Sequence, residues 1–144
     1  MVIDHLGLVV KSIDKAIEHW TTIFGYEQMT EIIDNVRQKV KVVFMKKEGS
    51  TLIKLLEPID KTSPVFSFAV KGGGLHHIAF RCENLTAEMT RLKENGLRVI
   101  TVPEPGEAFN NNLIAFMIAK DGLNIELIDT IEKTSIINEL TKFD

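Results

Sequence analysis

The sequence predicts an α+β protein built from two tandem βαβββ modules. Three observations predict it. The chain repeats itself at one fixed offset. Each half reads strand, helix, strand, strand, strand. The charged residues that interrupt its apolar runs fall at matching places in the two halves.

Residues 4–20, DHLGLVVKSIDKAIEHW, lie over residues 76–92, HHIAFRCENLTAEMTRL, with His5 on His77, Leu6 on Ile78 and Ile13 on Leu85. Residues 42–57 lie over 114–129, with Phe44 on Phe116, Met45 on Met117 and Leu55 on Leu127. Both blocks are displaced by the same 72 residues that separate His5 from His77. Two units in one register mark a duplication, too short for a solenoid. One domain should therefore span 1–130, with modules at about 1–58 and 75–130 and a linker at 59–74. Residues 131–144 are expected to form a helical tail.

Within each module the elements follow from local signals. IDHLGLVV and LHHIAFRC are β-rich runs. Ser12 and Asn84 stand where a helix N-cap is wanted. Beyond Ser12, Ile13, Ala16, Ile17, Trp20 and Phe24 keep near-helical spacing until Gly25; beyond Asn84, Leu85, Met89 and Leu92 do so until Gly96. Strands are expected near 27–33, 38–46 and 51–57, then near 98–102, 112–119 and 123–128. EGST and KDGL read as hairpin turns at equivalent places. The linker should carry a short helix near 65–70.

Strand alternation then sorts the side chains. His5, Gly7 and Val9 share one face of the first strand, and His77, Ala79 and Arg81 share the matching face of its counterpart. The Leu6, Leu8, Val10 and Ile78, Phe80, Cys82 faces should lie under the helices. Gly7 and Ala79 leave space beside the histidines. The two histidines can meet if the halves pair about a pseudo-twofold axis. Lys54 and Glu126 are also repeat-equivalent, and each interrupts an apolar run, LIKLL and NIELI. A charge there is costly unless it is paired or faces a wet cavity. The repeat thus nominates His5, Lys54, His77 and Glu126. His76 points to the opposite face and reads as structural, Met45 and Met117 as core fillers, and Cys82 as an inert core thiol.

Composition bounds the function. A hydrophobic fraction of 44% with 26% charged residues is that of a globular protein rather than a disordered one. The net charge of −3, with no Lys/Arg block, gives no electrostatic footprint for nucleic acid. A single cysteine excludes an internal disulfide and suits a reducing, cytoplasmic setting. The first residues, MVIDHLGLVV, lack the basic stretch of a signal peptide, and no apolar run nears the ~18 residues of a membrane span.

The phrases DHLGLVV, QKVKVVF, KLLEP, SPV, GGGLHHIAF and GLNIELI, spread over residues 3–129, make the chain resemble the vicinal-oxygen-chelate superfamily. That superfamily includes glyoxalase I, extradiol dioxygenases, fosfomycin resistance proteins and methylmalonyl-CoA epimerases, and the epimerases are the most similar group within it. The resemblance implies a glyoxalase-like fold, in which paired βαβββ modules curl into a cupped, barrel-like mixed sheet around a divalent metal. It implies His5, His77 and Glu126 as metal ligands, with cobalt, zinc, nickel, manganese or iron as the ion. Lys54 stands where the family places Glu or Gln. Residues 106–116, GEAFNNNLIAF, stand where epimerases tend to carry a glycine-and-histidine phrase.

A lysine in that position changes the electrostatics. Two unit charges ~4 Å apart interact by about 4 kcal/mol at an effective dielectric of ~20, so an ammonium repels a dication by roughly 8 kcal/mol. Structural zinc sites in small peptides are worth about 10–16 kcal/mol. Three outcomes are open: Lys54 swings out and leaves a two-His, one-carboxylate metal site; its ammonium replaces the metal and pairs with Glu126; or the strand shifts so that Lys54 never enters the cup.

The resemblance further implies an isomerase or lyase of the epimerase or glyoxalase kind. It would abstract a proton next to a carbonyl while a metal, or Lys54, stabilises the enolate. Glu126 is expected as ligand or base, Lys54 as a source of positive charge, and Gln38 as an orienting group. The partner would be a small molecule of acyl-CoA type, neither nucleic acid nor membrane, and the assembly a homodimer. The alternative is a metal-free small-molecule binding or resistance protein of the same fold.

Overall fold

A computed structural model describes residues 1–137. The first module comprises β1 (Val2–Val9), α1 (Ile13–Thr22), the short β2 (Glu27–Gln28) and β3 (Ile33–Asn35), β4 (Val40–Lys46) and β5 (Leu52–Pro58). A one-turn α2 (Phe66–Val70) occupies the linker. The second module comprises β6 (Gly74–Arg81), α3 (Leu85–Glu94), β7 (Arg98–Pro105), β8 (Leu113–Ile118) and β9 (Asn124–Ile128). Both expected caps are made: the Ser12 side chain accepts from the Lys15 amide, and Asn84 Oδ1 accepts from the Ala87 amide at 2.9 Å.

The strands form one open mixed sheet in the order β2-β4-β5-β1-β6-β9-β8-β7, with β3 paired to β4. In each module the first strand lies parallel to the last, β1 against β5 and β6 against β9. The modules meet where β1 runs antiparallel to β6. Leu6 pairs with Ile78, Gly7 with His77 and His5 with Ala79. Because Ile78 is the repeat equivalent of Leu6, this register is a pseudo-twofold axis through that pair.

Helices cover one face of each half. α1 contributes Ile13 and Ala16 to a core with Val43, Met45, Ile53 and Leu55. α3 contributes Leu85, Met89 and Leu92 to its twin with Ala115, Met117, Ile125 and Leu127. A third cluster joins both modules, with Val40, Val42, Phe44 and Leu56 packed alongside Phe109, Ile114 and Ile128. Residues so far apart in strand order meet only because the sheet curls into a cup. Cys82 faces α3, and Met45 and Met117 are fully buried, as expected.

Three features differ from the sequence reading. The strand expected near 27–33 is split into the short β2 and β3. β7 runs on to Pro105, longer than expected. Residues 131–137 form no helix. Their backbone is engaged elsewhere: Thr134 N donates to Ala108 O, Glu31 N to Ser135 O, and Ile137 N to Met29 O, each at 2.9 Å. The segment is a strap across neighbouring loops. The remainder of the predicted tail helix lies outside the described residues. Among the described residues no helix is long and apolar enough to cross a membrane.

Candidate active site

The register at the module junction brings the four nominated residues together. Lys54, Gly7 and His77 lie in one row across β5, β1 and β6. His5, Ala79 and Glu126 lie in the next row across β1, β6 and β9. The small residue at the middle of each row opens space for the long ones. A Cβ at Gly7 would stand 2.1 Å from Cε1 of His77, so the histidine ring lies directly on that glycine.

All four side chains are fully enclosed, at 0% exposure. His5 Nε2 is 3.1 Å and His77 Nε2 3.8 Å from Glu126 Oε1, and the two ring nitrogens are 3.4 Å apart. Lys54 Nζ is 3.6 Å from Glu126 Oε2. Neither Glu126 oxygen nor Lys54 Nζ has an aligned hydrogen-bond partner among the described residues. Burial pushes the Glu126 carboxyl up, but Lys54 and the two histidines outweigh it and hold the carboxyl well below its ordinary range. Burial holds His77 well below the usual histidine value, against the opposing pull of Glu126. Phe109, in the 3-10 turn Glu107–Phe109, closes the cluster: it stacks on His5 with centroids 6.0 Å apart, and Lys54 Nζ lies 5.0 Å from its ring centre.

A feature missed in the sequence fixes the histidines. The β1–β6 register slips at two points, once between Ile3 and His5 and once between Gly7 and Leu8. The residues skipped are Asp4 and His76, which are themselves repeat-equivalent. Each bulge turns its residue back onto the following histidine. Asp4 Oδ2 lies 2.7 Å from His5 Nδ1, and His76 Nδ1 lies 2.8 Å from His77 Nδ1. An ionised carboxylate only accepts, so His5 Nδ1 carries a proton, and its Nε2 faces Glu126 in the cluster. His76 is therefore not a residue of the opposite face, as strict alternation suggested. Asp4 also meets Arg81 Nη1 and the buried Lys133 Nζ, each at 3.3 Å. Burial raises its carboxyl, but the bond from His5 and the charge of Lys133 leave it below the ordinary value. The repeat offset that links Asp4 to His76 was the available signal; nothing local announced Lys133 or Phe109.

A cavity of about 330 Å³ borders the cluster. Its walls include Arg37, Gln38, His76, His77, Glu104 and Asn124, set among apolar residues such as Val40 and Phe116. Of the four cluster residues only His77 reaches it. Gln38 stands apart from the cluster, on the cavity wall, and accepts a 3.2 Å bond from Asn35 Nδ2. A larger recess of about 780 Å³ beside the start of α3 touches none of the four.

His5, His77 and Glu126 offer ligand atoms within 4.8 Å of one another, and by themselves could hold a metal ion. In this superfamily such an ion would polarise a carbonyl as a Lewis acid. With Lys54 in place a dication there would share the Glu126 carboxylate with an ammonium 3.6 Å from it. Of the three outcomes open in the sequence, the structure has Lys54 inside the cup and its ammonium against Glu126.

A cupped pair of βαβββ modules with a His/His/Glu cluster at the junction defines a glyoxalase-type protein. The chain belongs to the glyoxalase/bleomycin resistance protein/dioxygenase superfamily, whose family model matches residues 4–116. It is 34% identical over 131 residues to the uncharacterized protein YqjC of Bacillus subtilis, covering 88% of this chain and 91% of that one. It is 31% identical over 129 residues to the ethylmalonyl-CoA/methylmalonyl-CoA epimerase of Cereibacter sphaeroides, covering 87% and 95%. The crystal structure of methylmalonyl-CoA epimerase from Mycobacterium tuberculosis superposes with a TM-score of 0.79 at 29% identity, covering 98% of this chain and 91% of that one.

Proposed function

We propose that this protein abstracts a proton next to the carbonyl of a small acyl-CoA thioester, as an epimerase does. The observation that carries the reading is the buried cluster of Glu126 and Lys54 between two histidines, behind a cavity walled by His77. Removing a proton α to a thioester leaves negative charge on the carbonyl oxygen, which needs a fixed positive partner in a dry site. Lys54 supplies that charge. Glu126, held ionised, is the final proton acceptor; it stands behind the cavity wall, so His77, which lines the cavity and lies 3.8 Å from it, passes the proton on. Gln38 orients the substrate, and Arg37 meets a carboxylate or phosphate of the acyl-CoA. Glu104 is the carboxyl group on the cavity wall. The family likeness supports a homodimer, which analytical ultracentrifugation would check. The lone, buried Cys82 suits a cytoplasmic setting.

Proton NMR in D2O with methylmalonyl-CoA tests the reading, against a protein-free control and a His77→Ala variant shown by circular dichroism to be folded. Deuterium should enter C2 faster than the spontaneous rate with the native chain and not with the variant. No exchange above the control would remove this substrate.

One observation favours a second reading, a metal-free small-molecule binding protein of the same fold. Glu126 and Lys54 do not touch the cavity, so a ligand could fill it without meeting either. Saturable acyl-CoA binding with no exchange at C2 would select that reading.

A further inference from the structure

The junction of the two modules contains every part of a metal centre and a cation besides. His5 and His77 have their Nδ1 atoms engaged by Asp4 and His76, so both Nε2 atoms face Glu126. The carboxylate they surround has no hydrogen-bond partner among the described residues. Such a group demands a cation. The cation already there is Lys54, 3.6 Å away.

We infer that the Lys54 ε-ammonium is this protein's resident cation, that the native site excludes divalent metals, and that an uncharged or acidic residue at position 54 would turn His5, His77 and Glu126 into a divalent metal centre. Charge balance supports this. One buried carboxylate and one buried ammonium cancel, whereas an added dication would leave two uncompensated positive charges in an enclosed site.

Lys54 also has no retreat. Its strand is flanked on both sides, with Lys54 paired to Gly7 on β1 and to Phe44 on β4. Its ammonium lies 5.0 Å and 5.9 Å from the ring centres of Phe109 and Phe44. Lys133 approaches the same two rings, at 5.3 Å and 5.4 Å. A second ammonium thus already lies against the rings past which Lys54 would have to swing. The inference concerns the cation and not the substrate, so it stands or falls apart from the exchange experiment above.

The test is titration of the EDTA-treated, full-length protein with Co2+. It reads visible d–d absorption, metal retained after desalting, and the melting temperature. The native chain should retain essentially no cobalt and melt unchanged. Lys54→Gln should retain about one equivalent, develop d–d bands and melt higher with cobalt than without. Adding His77→Ala to that variant should abolish the gain. Should Lys54→Gln not fold, Lys54→Glu replaces it, and the native titration reads out regardless. Binding of about one equivalent by the native chain, lost in His77→Ala, would overturn the inference. So would failure of every folded position-54 variant to bind, because Lys54 would then not be what keeps the ion out.

Discussion

Replacing Glu126 with Gln should cost this protein a large share of its stability, and replacing Lys54 as well should recover much of it. Both side chains are wholly enclosed and 3.6 Å apart. Removing one partner of a buried pair strands an unpaired charge, typically at about 3–5 kcal/mol. Replacing both with apolar groups of similar shape is often near neutral. For a domain of this size each kcal/mol corresponds to roughly 2–4 °C in melting temperature, so Glu126→Gln should melt roughly 6–20 °C lower. Lys54→Met should behave similarly, and Lys54→Met with Glu126→Leu should lie well above either single variant. Urea denaturation of the native, single and double variants at pH 7 closes the cycle.

The same cycle has a pH signature. The Glu126 carboxyl is held below its ordinary value, so its contribution is present above the unfolded value of ~4.3 and is lost as pH falls toward the folded one. The gap between native and Glu126→Gln should therefore be flat from pH 7 to about 5 and narrow below about 4.5. Additive single effects under 1 kcal/mol, with no narrowing in acid, would refute the buried pair.

Three further expectations follow from individual contacts. Gly7→Ala should destabilise by about 1–3 kcal/mol or more, because the new methyl falls inside the His77 ring; an unchanged denaturation midpoint would refute that ring's position. Asp4→Asn should cost about 1.5–3 kcal/mol, mainly by leaving the buried Lys133 without its anion, and Lys133→Met in that background should restore part of it. Arg37→Ala should leave the urea midpoint within about 0.5 kcal/mol of native and weaken acyl-CoA binding by about tenfold or more, measured by calorimetry; unchanged affinity would remove Arg37 from the binding wall.

By itself the sequence determined the α+β class and the tandem plan of the sheet, and it nominated the four residues of the cluster. It could do so because a duplication writes each structural position twice: His5 and His77, Lys54 and Glu126, and Ser12 and Asn84 corroborate one another across 72 residues. Only the tertiary structure decided what those residues do together. Strict strand alternation put His76 on the opposite face and offered no role for Asp4. Two β-bulges override that alternation, and a bulge is a property of two paired strands rather than of either alone. Phe109 closes the cup from a turn 104 residues beyond His5, and Lys133 reaches Asp4 across 129 residues. Neither closure has a local signature, because burial is conferred by whichever segment happens to pack on top. Whether Lys54 swings out, avoids the cup or enters it was likewise a question of packing. The pairing of β5 between β1 and β4, beneath Phe44 and Phe109, answers it by leaving the ammonium nowhere to go but toward Glu126.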